Sequence, residues 1–152
     1  MSVLQFAERG FLARAEDQCV LIGEGPVDQP ITGIVRLDRI PDAASFGVIR
    51  VEKLPCGLSI QLPDSTVVYA QQSFSAREAK SQRCDVLILA PGVSDEKAVK
   101  VAKPKLAILQ NSTLDRSREI QRKTGIQTIV ANAGTVINLA AYSARSGQTR
   151  LV

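Results

Sequence analysis

A chain of 152 residues, 45% of them hydrophobic and 22% charged, is one domain's worth of sequence and can bury a continuous core. Its 19 basic and 15 acidic side chains leave a net charge of +4, short of the charge density of a dedicated nucleic-acid binder, and 4% aromatics without tryptophan supply little base-stacking surface. Histidine is absent, which excludes a Ser-His-Asp triad, a histidine general base and any His-ligated metal centre.

Along the chain, the first half reads as strands. Residues 3–7, 19–23 and 31–35 are short apolar or β-branched runs, and Gly23-Glu24-Gly25-Pro26 breaks the chain after the second. Residues 48–54 set apolar Val48, Val51 and Leu54 among polar Arg50, Glu52 and Lys53, and Pro55-Cys56-Gly57 turns the chain. Residues 58–62 and 66–69 flank Pro63-Asp64-Ser65, which predicts a hairpin turn. The first 70 or so residues therefore predict a sheet of mostly antiparallel neighbours.

The second half alternates. Residues 75–82 predict a polar helix, with Ser75 as N-cap and Glu78 completing a capping box. Residues 86–90 form a continuous apolar run, the pattern of a strand buried on both faces, stopped by Pro91-Gly92. Residues 95–101 predict a short helix or turn, and 106–109 the next buried strand. Ser112 is the expected cap of a helix reaching Thr124, with Asp115 at the capping-box position and Gly125 just past the end. Residues 127–130 and 135–139 predict two further strands around an Ala133-Gly134 turn. With no repeat and no linker, residues 1–139 read as a single α/β domain, and 140–152, with Arg145 and Arg150, as a loose tail.

Cys19, Cys56 and Cys84 are an odd number without a C-x-x-C pair, which argues against a zinc finger or a disulfide framework. Reduced thiols in a cytoplasmic protein are the expectation. No apolar run approaches the roughly 20 residues that span a bilayer. The opening MSVLQFAERG carries neither a basic leader nor a signal-type apolar core.

Several segments in order resemble the C-terminal half of metallo-β-lactamase-fold hydrolases, in particular their phosphodiesterase-like branch. They are GLSIQLPDSTVVYAQQSF at 57–74, CDVLILAPG at 84–92, KPKLAILQNS at 103–112 and REIQRKTGIQTIVANAGTVINL at 118–139. The stretch ITGIVRLDRIPDAASF at 31–46 resembles, more weakly, the part that carries the family's H-x-H-x-D-H motif. The resemblance implies a truncated metallo-β-lactamase-like αβ/βα sandwich, because the chain is too short for the helix and strands the family places between Ser45 and Val48.

It also implies where metal ligands would stand. Ile34 and Arg36 take the places of the first two motif histidines, Asp38 that of the aspartate, and Arg39 that of the last histidine. Gln72 falls on the bridging aspartate and Asn111 on a later histidine. Guanidinium groups repel a divalent ion and amides are weak ligands, so the expectation is a vestigial site of Arg36, Asp38, Arg39, Gln72 and Asn111 with no metal, no cofactor and no catalysis. Asp38 is expected to pair with Arg36 or Arg39, or to cap a helix near Pro41. Arg36 and Arg39 beside the two amides also suit a phosphate or carboxylate.

The segment 97–123 gathers Lys97, Lys100, Lys103, Lys105, Arg116, Arg118, Arg122 and Lys123 against Asp115 and Glu119, a local net of +6. Asp115–Arg118, Glu119–Arg122 and Glu119–Lys123 stand at the spacing of surface helix pairs, so a solvated helix face is the first expectation. Phosphate contacts by Lys103, Lys105, Arg116, Arg118, Arg122 and Lys123 are the second. Taken together, the sequence predicts a catalytically inactive protein that works through its surface, by self-association or as a subunit or scaffold of a complex. The alternative is a metal-independent binding module for a phosphate-bearing ligand, nucleic acid or nucleotide. A residual metal-dependent hydrolase comes third. Nucleic-acid binding is expected to be weak, and membrane association absent.

Overall fold

The computed structural model describes residues 2–25, 30–73, 84–93 and 96–141. In chain order the strands are β1 (Ser2–Ala7), β2 (Arg9–Ala15), β3 (Gln18–Glu24), β4 (Gly33–Val35), β5 (Ala43–Phe46), β6 (Ile49–Leu54), β7 (Gly57–Leu62) and β8 (Ser65–Ala70). Then follow β9 (Val86–Leu89), helix α1 (Glu96–Ala102), β10 (Leu106–Gln110), helix α2 (Leu114–Thr124), β11 (Thr128–Ala131) and β12 (Val136–Asn138). The strands form a five-stranded sheet of order β12-β1-β2-β3-β4 and a seven-stranded sheet of order β11-β10-β9-β8-β7-β6-β5.

Strand periodicity decides how the sheets stack. Leu4 and Phe6 of β1, Phe11 and Ala13 of β2 and Val20 and Ile22 of β3 point to one side, where they meet Ile49, Leu58, Ile60, Val67, Ile88 and Ile108 of the larger sheet. The larger sheet buries its other face too. There Leu87, Leu89 and Leu109 pack against Ala98 and Val99 of α1 and Ile120 of α2. β9 and β10 are therefore buried on both faces, and their unbroken apolar runs follow from that. The layers are sheet, sheet and helices. The expected neighbours β9, β10 and β11 are adjacent and parallel, with α2 across them.

Two strands escape the sequence reading. β2 pairs with β3 through all seven of its residues and with β1 through six, Gly10 to Ala15. Its pattern is blurred because Arg14 interrupts the apolar run at a position facing Val3 and Cys19 on the outer side. β5 (AASF) is an edge strand, small in all but Phe46, paired only with β6. On β6 the inward residues are Ile49 and Val51, while Val48 lies outside the strand and is exposed. The helix expected at 75–82 lies outside the described residues, as does the tail expected at 140–152 apart from Ala140 and Ala141.

The cap of α2 also shifts by one residue. Thr113, not Ser112, is the N-cap: its hydroxyl accepts from the Arg116 amide at 3.2 Å, so Arg116 rather than Asp115 holds the capping-box position. The C-terminal end is as expected. Gly125 adopts φ 74°, left-handed backbone that a glycine enters without strain, and its N–H donates to Gln121 O at 2.8 Å. β3 and β4 pair in parallel, and Ile31 packs on Leu12, Cys19 and Leu21 of the outer face. Among the described residues no helix is long and apolar enough to cross a membrane.

The sheets are tied together at one end by a buried amide. Gln110, the last residue of β10, is 1% exposed. Its Oε1 accepts from the Tyr69 hydroxyl at 2.8 Å, and its Nε2 donates to Gly10 O at 3.1 Å and Ala7 O at 3.2 Å. Tyr69→Phe should lower the unfolding free energy by about 1 kcal/mol, and Gln110→Leu, which strands two carbonyls and a phenol, by about 3 kcal/mol in denaturant titrations. Burial pushes the Tyr69 phenol up to about 12 from its ordinary 10. The unfolded chain therefore releases this proton first, and stability should fall as pH rises from 10 towards 12, a loss that Tyr69→Phe removes.

Candidate functional site

The segment after β4 is positioned by a close contact between the two sheets. A Cβ on Gly33 would lie 2.2 Å from the Phe46 ring, so only glycine lets β4 approach β5 this closely. The chain then turns, with Arg39 N donating to Arg36 O at 3.2 Å. Arg36 grips Asp38 with two bonds, Nε to Oδ1 at 3.2 Å and Nη2 to Oδ2 at 3.0 Å. Both side chains are about 70% exposed (71% and 69%), so this pair orients the turn and adds little stability.

Two cavities flank the turn. One, of about 260 Å³, is bounded by Arg9, Gly23, Glu24, Arg36, Leu37 and Asp38. The other, of about 590 Å³, has Asp38, Arg39, Lys53, Gln71 and Gln72 in its wall. The structure thus brings Asp38, Arg39 and Gln72 to one cavity and places Arg36 at the neighbouring one. Lys53, at the end of β6, joins them. Its sequence signal was only a polar place in an alternating strand.

The two amides are engaged by backbone. Gln72 Nε2 donates to Pro55 O at 2.7 Å, and the amides of Gln71 and Gln72 donate to Cys56 O at 2.8 and 3.3 Å, which holds the end of β8 to the β6–β7 turn. Asn111 adopts φ 52° and its Nδ2 donates to Glu8 O at 2.8 Å, in the β1–β2 turn. It lines neither cavity beside the arginine turn.

The basic segment is largely organised by a neighbour outside it. Glu96, one residue before that stretch, takes Arg116 at 2.6 Å and Lys123 at 3.5 Å. Glu119 takes Lys123 at 2.9 Å and Arg116 at 3.1 Å. The hydrogen bond to Glu96 holds the Arg116 guanidinium above its ordinary range, and Lys123 followed by Arg116 holds the Glu119 carboxyl below its own. Asp115–Arg118 and Glu119–Arg122 are not among the ion pairs of the described residues, whereas Glu119–Lys123 is. Lys105 approaches Asp85 at 3.8 Å, while Lys103, Arg118 and Arg122 are exposed. None of Cys19, Cys56 and Cys84 is in a disulfide, and the Cys84 thiol is pushed up to about 12, first by burial and then by the Asp85 carboxylate.

No family model matches the chain, and no curated protein matches it by sequence. A search of solved structures finds the crystal structure of a Thermotoga maritima protein assigned as a zinc-dependent hydrolase of the metallo-β-lactamase superfamily. It superposes with a TM-score of 0.60 at 8% identity, over 88% of this chain and 100% of the other. The chain therefore has a metallo-β-lactamase-like fold, and identity this low carries the fold alone. The residues described here do not fit the metal that such a fold brings to mind. The donor set is one carboxylate gripped by an arginine, two amides donating to backbone carbonyls, and guanidinium groups. Among the described residues no three His, Cys, Asp or Glu side chains are grouped to hold an ion.

Asn111 is the position where conformation and side chain are both constrained. Asn111→Gly should keep the backbone and lose only the bond to Glu8 O, whereas Asn111→Val should cost a further 1–2 kcal/mol, roughly, for a β-branched residue in left-handed backbone. Thermal unfolding of the two variants checks this order.

Proposed function

We propose that this chain is a non-catalytic protein on a metallo-β-lactamase-like scaffold, acting through its surface by self-association or as a subunit of a complex. The observation that carries the reading is the use of Gln72 and Asn111. At positions that the sequence resemblance aligns with metal ligands, both side chains donate to main-chain carbonyls and hold turns in place. Arg36 and Arg39 add positive charge where a hydrolase needs a cation's ligands.

The surface supports association. On the outer face of the five-stranded sheet, the register lines up Val136, Gln5, Leu12, Leu21 and Ile34 in one row across all five strands. The two ends of that row stand open to solvent, Ile34 at 54% and Val136 at 57%. Apolar side chains at both edges of a sheet favour contact with another protein surface.

A second reading rests on the larger cavity, where Arg39 and Lys53 face the same space as Gln72. A metal-independent module would hold a phosphate-bearing small molecule there through these donors. Arg39→Gln with Lys53→Gln should then abolish binding of a nucleotide probe, and binding that survives the double change removes this reading.

The leading reading has two tests. Elemental analysis after dialysis, before and after soaking in zinc or manganese, should find well under one ion per chain. Stoichiometric metal returns the hydrolase reading to first place. Light scattering at micromolar concentration should show a dimer or larger species, and Ile34→Asp should shift it towards monomer. A wild-type monomer at these concentrations defeats self-association.

A further inference from the structure

We infer that the solvent face of the helical layer binds nucleic-acid backbone without reading sequence, through Lys97 and Lys100 of α1 and Arg118 and Arg122 of α2. This goes beyond the association surface, which lies on the outer side of the other sheet, and either assignment can fail alone. Three observations carry it.

Helical periodicity sets the direction of each side chain. α1 buries Ala98, Val99 and Ala102, and α2 buries Ser117 and Ile120. With 3.6 residues per turn, Lys97 and Lys100 fall opposite the buried side of α1, and Arg118 and Arg122 opposite that of α2. All four are exposed. Each pair stands one turn apart on its helix, with Cβ atoms about 5–6 Å from each other.

The acids are directed elsewhere. Glu96 and Glu119 sit in the interhelical network with Arg116 and Lys123, which ties α1 to α2 and neutralises that seam. Of the acidic side chains on the two helices, only Asp115 remains among the four cations, and none of the four stands in an ion pair among the described residues.

The composition of the face selects the polyanion. Among the described residues it carries no aromatic side chain for base stacking, and the one exposed large apolar residue there, Leu114, lies at the start of α2. A membrane-surface helix needs a continuous apolar face to insert, and here the apolar faces are buried on the sheet. Such a face suits phosphate contact by Lys and Arg without base readout.

The test is fluorescence anisotropy with a short random-sequence DNA duplex and the full chain over a range of salt. Binding should be weak and sequence-independent, with a dissociation constant of about 10⁻⁴–10⁻⁶ M at physiological salt. Four phosphate contacts predict a slope of log K against log salt of about −3.6, so a fourfold rise in salt costs about 150-fold in affinity. Arg118→Gln with Arg122→Gln should reduce the slope to about −1.8, and adding Lys97→Gln and Lys100→Gln should abolish binding.

Arg36→Gln with Arg39→Gln, at the cavities, should leave the slope unchanged. Because the four side chains have no ion-pair partner among the described residues, the quadruple variant should keep its melting temperature and its light-scattering mass. A quadruple variant that binds with the wild-type slope overturns the inference. So does tighter binding to phosphatidylserine vesicles than to the duplex, which would assign the face to a membrane.

Discussion

A single buried amide fixes how the two sheets meet. The apolar side chains between them supply most of the driving force, but that force is non-directional and tolerates sliding. Gln110 is directional. It accepts from Tyr69 on its own sheet and donates to two carbonyls, Ala7 O and Gly10 O, at the turn of the other. The Tyr69 ring in turn meets Phe11 edge-on at 5.1 Å, and Phe11 stacks at a tilt on Phe6 at 5.5 Å. Any other register would leave three buried polar groups without partners, a larger penalty than most single core contacts can offset. Asn111 extends the same clasp to Glu8 O.

From this clasp the molecule divides into three surfaces with different chemistry. The end that carries the arginine turn is polar and concave. The outer face of the smaller sheet carries a row that is apolar except at Gln5, with its two ends, Ile34 and Val136, exposed. The helical layer is charged, and its charges are sorted: the pairs lie in the seam between α1 and α2, and the cations without an ion-pair partner among the described residues point outwards. The net charge of +4 therefore describes none of these surfaces well. Local pairing, rather than composition, decides what each can bind.

Much of this fold was legible because the strands buried on both faces leave unbroken apolar runs, as at 86–90 and 106–109. What was lost was lost for physical reasons. β2 hides behind an arginine on its outer face, and β5 is an edge strand whose small residues carry no period. Ser112 and Thr113 are both good caps, and the choice between them is made where the chain leaves β10, which the local sequence does not record. The net of +6 over 97–123 leaves out Glu96, which sits one residue outside the segment and pairs with Arg116 and Lys123. Of the candidate site, Asp38, Arg39 and Gln72 do share a cavity, while Asn111 is drawn to the β1–β2 turn and Lys53 arrives from a strand end that no motif marks. The strand expected at 106–109 stops one residue short of Gln110. A polar residue completing a doubly buried strand is the signal that would have found it.

The pairing of β1 with β12 has a consequence for how the molecule is made. Val3 lies opposite Asn138 and Gln5 opposite Val136, so the first strand finds one of its two neighbours among the last described residues. Closing so long a loop is entropically costly and delays the completion of the smaller sheet. During synthesis the β1–β2–β3 meander can form early, but the free edge of β1 stays open until residues 136–138 have emerged. For that interval the nascent chain offers an unpaired strand that any extended segment could join, and the parallel pairs β8–β9, β9–β10 and β10–β11 must form in the same window. Folding speed and yield should therefore depend more on the short β12 than its three residues suggest.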